Sequence, residues 1–252
     1  MDWWMTGARQ RLDQVLVARG IVQSRARAAD LIARGAVCVD GRVAGKAGVL
    51  VAADARVEVD AEANAYVARS GTKLSAALRA FGFDPTGCVA IDIGASTGGF
   101  TQVLLEAGAK MVYAVDVGHD QLHQTLRGDP RVVCLEGVDA RTLSREHIDV
   151  PVQAIVADVS FVSLKQALPV PLGFASAGTW LVALVKPQFE VGRAAIGKRG
   201  IVRDEAAQTM AVDGVVDFLE GEGWRVVGRM CSPLPGKEGN IEWLIGAVRD
   251  DA

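Results

Sequence analysis

Four charged side chains stand in stretches of the sequence that otherwise read as apolar and buried. Lys73 falls in RSGTKLSAAL, at the start of a helical segment whose apolar face is Leu74, Ala77 and Leu78. Asp158 closes the run VQAIVAD, Lys186 closes TWLVALVK just ahead of Pro187, and Glu242 falls inside NIEWLI, read as a strand. Glu238, in the preceding Gly-rich stretch, is a second carboxylate near that place, and the strand setting favours Glu242. Taken singly, a strand-terminal Asp or Lys is more often a cap or a surface group than a reacting one. In a parallel sheet, however, the carboxyl ends of the strands meet at the ligand crevice, so Asp158 and Lys186 are expected to point towards a common ligand.

That ligand is announced by Ala90 to Phe100, AIDIGASTGGF. A strand ends at Asp92, passes a Gly-rich turn and enters a helix near Gly98. Gly94 permits a tight turn, Gly98 and Gly99 leave room for the backbone to approach a ligand, and Ala95, Ser96, Thr97 and Phe100 complete the loop. Asp116 ends the next strand, where it can accept hydrogen bonds from both hydroxyls of a ribose, with Val117 beside it. Asp139 follows the third strand in EGVDAR, where it would meet an adenine amino group or simply cap the next helix. A dinucleotide would ask for the same turn, but the glycines run G-x-x-x-G-G rather than G-x-G-x-x-G. The acidic Asp92 before the first glycine suits a ligand bearing an ammonium group better than one bearing a pyrophosphate. S-adenosylmethionine has such a group; a dinucleotide is the alternative.

Phe161 and Ser163 follow Asp158 in DVSFVSL, where a phenyl ring can stack on a cofactor or on a base turned out of its helix, or pack in the core. Gly192 to Arg203, GRAAIGKRGIVR, has the composition of a mobile flap over a phosphate backbone, or of a plain exposed loop. His119, His123 and His147 show no metal-ligand spacing with acidic or Cys partners. Cys38, Cys88, Cys134 and Cys231 lie far apart without a C-x-x-C pair. Neither a metal site nor a disulfide framework is expected, and the cysteines read as small core residues.

Two blocks of secondary structure must position these groups. From Arg11 to Asp60, RLDQVLVARG and SRARAADLIARG read as two short helices, the second with Ser24 as N-cap, stopped by Gly20 and Gly35. VCVDGRV and RVEVD follow as period-2 strands, with Asp40-Gly41 as a hairpin turn. A small α+β domain over residues 9–65 is expected. Beyond the join at Ala61 to Ala68, the runs CVAIDIG, MVYAVDV, RVVCLE, VQAIVADV and TWLVALVKP read as buried parallel strands. They alternate with helical stretches that include Gly98 to Ala107 and Val162 to Leu172. WRVVGRM and NIEWLIGAV read as two further strands, expected to pair as an antiparallel edge. Residues 66–252 are therefore expected to form an α/β domain of Rossmann-like type with a mostly parallel seven-stranded sheet. Charge is unevenly spread along the chain: residues 1–82 hold 12 Lys and Arg against 8 Asp and Glu, whereas the rest hold 15 against 22. A basic front on an acidic body suits a polyanion, and a mixed solvated surface accounts for it equally well.

The front segment resembles the small RNA-binding domain shared by a ribosomal small-subunit protein and many pseudouridine synthases. That resemblance implies RNA contact by Arg11, Arg25, Arg27, Arg34, Arg42 and Lys46. Lys73, Asp158, Lys186 and Glu242 match the K-D-K-E tetrad of ribose methyltransferases that resemble the RNA methyltransferase FtsJ. With RSGTKL, DIGASTGGFTQ, DVSFVSL, LVKPQFEVGR, GIVRD and GNIEWL in order, nearly the whole chain is similar to the TlyA family. The resemblance implies methyl transfer from S-adenosylmethionine to a ribose 2′-hydroxyl of RNA, ribosomal RNA or ribosomal subunits being the expected partners, with no metal. A hydroxyl is a poor nucleophile at neutral pH and needs a positioned base; burial and a neighbouring cation can make a lysine one. In that scheme Lys186 is the base, Lys73 supplies the like charge and helps orient the hydroxyl, and the two carboxylates hold the lysines.

The composition, half of it hydrophobic and 23% charged, is that of a soluble globular protein. No apolar run approaches the roughly 20 residues of a membrane span, and the start, MDWWMTGARQ, does not read as a secretory leader, so a cytoplasmic location is expected. Two other activities compete: a membrane-active haemolysin, the name attached to some TlyA relatives, and an NAD-dependent oxidoreductase.

Overall fold

Val- and Ile-rich runs too short for helices and too apolar for a half-exposed sheet must be covered on both faces, and this governs the larger part of the fold. A computed structural model describes residues 9–22, 24–33, 35–60, 66–192, 195–236 and 238–250. The chain divides into two compact units, Met1–Tyr66 and Val67–Ala252.

In the first unit β1 (Gln10–Arg11) runs directly into α1 (Leu12–Ala18). The chain turns at Gly20, and α2 (Arg25–Ala33) begins where Ser24 Oγ accepts from the Arg27 N–H at 3.2 Å. β2 (Val37–Val39), β3 (Arg42–Val43), β4 (Leu50–Val51) and β5 (Val57–Val59) follow. The order β3-β2-β5 is antiparallel, and the Asp40-Gly41 turn has positive φ at both residues, 48° and 76°, as a two-residue hairpin of this hand requires. A second small sheet, β1 paired with β4, was not foreseen, because two-residue strands carry no periodicity. Leu12, Leu16, Leu31, Ile32 and Val37 close the core of this unit.

The second unit opens with α3 (Ser70–Phe81), then β6 (Val89–Ile93), α4 (Gly99–Glu106), β7 (Met111–Asp116), α5 (Gln124–Arg127), β8 (Val132–Glu136) and β9 (Val152–Ala157). After α6 (Leu164–Ala167) and α7 (Pro169–Leu172) come β10 (Ala175–Val185), α8 (Pro187–Glu190), α9 (Glu205–Gly221), β11 (Trp224–Cys231) and β12 (Trp243–Arg249). The seven strands lie in the order β11-β12-β10-β9-β6-β7-β8. β6 to β10 are parallel; β12 is antiparallel to β10 and β11. This is the Rossmann-like, mostly parallel sheet expected from the alternation of strands and helices. The order reverses between β6 and β9, and the carboxyl ends of those strands open a crevice there.

Three local features differ from the sequence reading. Val162 to Leu172 holds two four-residue helices rather than one, because Pro169 has no N–H to continue α6 and instead starts α7. Glu242 lies just before β12 rather than inside it: the turn closed by Gly236 N–H to the Asn240 carbonyl delays the strand to Trp243. The cysteines are free, but Cys38, Cys88 and Cys134 are half-buried and Cys231, on the edge strand β11, is exposed, so none is a core residue.

Candidate active site

Above the carboxyl ends of β6, β7 and β9 lies a cleft of about 480 Å³, and next to it a smaller cavity of about 160 Å³. Gly94, Ser96, Asp158 and Ser160 wall both. Gly94 has φ 78°, and a Cβ there would lie 2.6 Å from the Asp158 carbonyl oxygen, so the first strand can pass this close to the fourth only with glycine. Gly98 and Gly99 serve a different purpose from the one expected. A Cβ on Gly98 would collide with Leu126 and one on Gly99 with Ser70 Oγ and the Gly71 nitrogen, so both make room for neighbouring helices of the chain itself. Neither lines either of these two cavities, whereas Ala95, Thr97 and Phe100 line the smaller one.

Asp116 and Val117 line the large cleft. Asp116 accepts from the Ser96 N–H at 2.8 Å and the Gly118 N–H at 2.8 Å, which fixes its carboxylate at the rim while leaving lone pairs free. Asp139, also in the wall, caps the short turn Ala140–Thr142 through the Arg141 N–H at 2.9 Å and grips the Arg141 guanidinium. Asp92 borders neither cavity. It is fully buried, with Oδ2 accepting from Thr101 Oγ1 at 2.6 Å and Oδ1 without a hydrogen-bond partner. Burial, with further repulsion from Asp158 and Asp116, pushes its pKa up to about 7. It therefore cannot be the group that meets a ligand's ammonium; it braces the turn from beneath.

The four charged residues form two pairs. Lys186 Nζ lies 2.7 Å from Asp158 Oδ1 and donates to Ser160 Oγ at 2.7 Å, and all three residues line the small cavity. Lys73 and Glu242 form a short ion pair, both buried and away from the cavity walls. Glu238 is exposed, so Glu242 is the carboxylate that meets a lysine. Ala68 and Ser70, at the entry to α3, also line the small cavity.

Two contributors were missed by the sequence reading. Ser160 has a common type in an unremarkable loop. Glu136, the last residue of β8, accepts from the N–H groups of Asp120, Gln121 and Leu122 at 2.9, 2.8 and 2.8 Å, and also binds Arg127. These bonds, that from Leu122 foremost, hold its pKa down at about 2 and pin the loop that carries Gln121 into the cleft wall. The place was readable, since Glu136 closes an apolar strand as Asp116 does. Phe161 has φ 68°, is 92% exposed and leans on Phe189 with ring centroids 5.3 Å apart, so core packing does not account for it. Ser163 caps α6 and donates to Glu190 at 2.6 Å. The basic loop is held at its far end: Asn240 accepts from the Val202 N–H and donates to the Gly200 carbonyl, and Gln208 donates to the Val202 carbonyl. Among the described residues, no group of His, Cys, Asp and Glu could hold a metal ion.

In the first unit Arg11 and Arg25 converge on the buried Asp13 and keep half-exposed side chains. Arg42 and Lys46 are exposed. Arg27 is mostly covered, and its guanidinium is engaged by Asp30 and the Tyr66 carbonyl. Arg34 lies outside the described residues.

Residues 66–249 match the FtsJ-like methyltransferase family and residues 10–57 match the S4 domain. The chain is 45% identical, over 94% of its length and 89% of the relative's, to the 16S/23S rRNA (cytidine-2′-O)-methyltransferase TlyA of Mycobacterium tuberculosis. This chain belongs to the TlyA family. Hemolysin A of Brachyspira hyodysenteriae is 39% identical over 93% of this chain and 98% of its own, so the haemolysin name occurs within the same family. A solved structure from Streptococcus thermophilus, also bearing a hemolysin name, superposes with a TM-score of 0.77 at 37% identity, covering 97% of this chain and 90% of that one. Family membership removes the oxidoreductase alternative.

Proposed function

We propose that this protein methylates the 2′-hydroxyl of a ribose in ribosomal RNA, with S-adenosylmethionine as methyl donor. The observation that carries this reading is the pairing of Lys186 with Asp158 and of Lys73 with Glu242, four residues from distant parts of the chain, with Asp158 in the wall of a cleft of cofactor size. Relatives named as cytidine-2′-O methyltransferases of ribosomal RNA support the substrate class and suggest cytidine as the target. The cleft fits the cofactor: Asp116 stands at the rim with free acceptor positions for ribose hydroxyls, and Val117 and Val138 offer apolar walls for a base. Ser96, Thr97 and Asp158 would border its other end. When bound, S-adenosylmethionine supplies an electrophilic methyl group.

The rest belongs to the chain. Lys186 Nζ takes the proton of the 2′-hydroxyl, with Asp158 and Ser160 fixing where that nitrogen stands. Lys73 keeps its charge buried through Glu242, away from the cavity walls, and would support the site as one half of that ion pair. Phe161, bare and held in a left-handed backbone, offers a face on which a base can stack. The S4 unit would bring the RNA. Incubation with labelled S-adenosylmethionine and purified ribosomal subunits tests the reading: label in ribosomal RNA supports it, and wild-type protein that labels no RNA refutes it.

A further inference from the structure

Asp13 is an acidic residue held between Arg11 and Arg25, two of the arginines expected to meet RNA. It is 3% exposed, yet both of its oxygens are turned to arginines that reach the surface. Arg11 Nε lies 3.0 Å from Oδ1 and Arg11 Nη2 3.1 Å from Oδ2. Arg25 Nε and Nη2 share the same Oδ2 at 3.2 and 2.9 Å. Two Nη2 atoms on one oxygen can be no farther apart than about 6 Å, and each guanidinium keeps its remaining donors free. Gly48 leaves space at the Arg11 head, since a Cβ there would come within 3.2 Å of Nη1.

From this geometry we infer that Asp13 is a positioning residue that builds a single phosphate site out of Arg11 and Arg25. Two exposed arginines repel one another and each samples many rotamers, so an unassisted pair loses binding free energy when RNA orders it. A buried carboxylate between them removes the repulsion and orders both heads in advance. The two guanidiniums then meet the non-bridging oxygens of one backbone phosphate through charge-assisted hydrogen bonds. This inference rests on the reading that the S4 unit binds RNA.

The test turns on the sign of a charge change. Asp13→Asn makes the surface more positive, and a plain electrostatic surface would then bind a polyanion more tightly. The full chain is titrated with protein-free ribosomal RNA over a salt series. Asp13→Asn is expected to weaken binding about three- to tenfold, the cost of ordering one long side chain. Arg11→Ala and Arg25→Ala are each expected to weaken it and lower the salt slope by about one. Asp13→Asn should change nothing further in the variant lacking both arginines. Binding by Asp13→Asn equal to or tighter than wild type overturns the inference, as does an equal loss in the variant lacking both arginines, which would mark a folding defect. Wild-type protein that binds no RNA overturns the RNA reading itself, a separate outcome.

Discussion

Lys186 and Lys73 are alike in type and differ in setting. Lys186 borders the cavity, so Lys186→Ala should lower methyl transfer by about 10²–10⁴-fold while calorimetry finds S-adenosylmethionine binding changed only a few-fold. Lys73 is sealed with Glu242, and Lys73→Ala leaves a buried charge without its partner, a loss of about 3–5 kcal/mol in urea unfolding. Replacing both, Lys73→Met with Glu242→Leu, should restore most of that stability and none of the activity; recovered activity would show that the pair only holds the fold. Asp92 gives a pH signature. Its folded pKa, about 7, lies above its ordinary value of 3.8, so the folded state holds the proton more tightly. Stability is therefore greatest below about pH 4 for this group and is lost as pH rises towards 7, roughly 4 kcal/mol in all. Asp92→Asn should abolish that slope, and a wild-type-minus-variant difference that does not change with pH would mean that Asp92 does not titrate there. That Asp158 and Lys186 stand at the crevice could be read from sequence because each closes an apolar parallel strand, and the carboxyl ends of such strands meet there. The burial of Asp92 could not, because one residue of sequence separates the rim of a crevice from its floor.

At the scale of elements, the crevice depends on how closely β6 passes β9 and on how the loop after β7 is held. Gly94→Ala puts a side chain against the Asp158 backbone at a positive φ; it should cost about 1–3 kcal/mol and weaken cofactor binding together with the Lys186–Asp158 pair. Glu136→Ala frees three backbone N–H groups, and a loss of about 1–3 kcal/mol with weaker S-adenosylmethionine binding is expected, RNA affinity being unchanged. Unaltered cofactor affinity would show that the loop holds its shape without this anchor. All seven strands of the large sheet and the Asp40-Gly41 hairpin were legible because apolar runs and turn residues carry their signals locally. The β1–β4 pair was not, since it is decided by a partner elsewhere in the chain, nor was the start of β12, which the Gly236–Asn240 turn sets.

For the whole molecule, the stretch that matches the S4 domain, residues 10–57, holds 8 Lys and Arg against 4 Asp and Glu, which implies that substrate affinity resides in phosphate contacts. Methyl transfer at sub-saturating RNA should fall steeply between about 50 and 200 mM salt, while cofactor affinity stays nearly constant. A haemolysin name within the family makes vesicle leakage worth measuring, although no helix among the described residues is long and apolar enough to cross a membrane. The order of the two units was legible because each carries its own motifs. The central claim is tested most directly by mapping, nucleotide by nucleotide, the ribose 2′-O-methyl groups that wild-type and Lys186→Ala protein place on ribosomal RNA. Wild-type protein should add at least one such group, at a cytidine, and Lys186→Ala should place it at least about 10²-fold more slowly. A methyl group found on a base, or full ribose methylation by Lys186→Ala, would contradict the account.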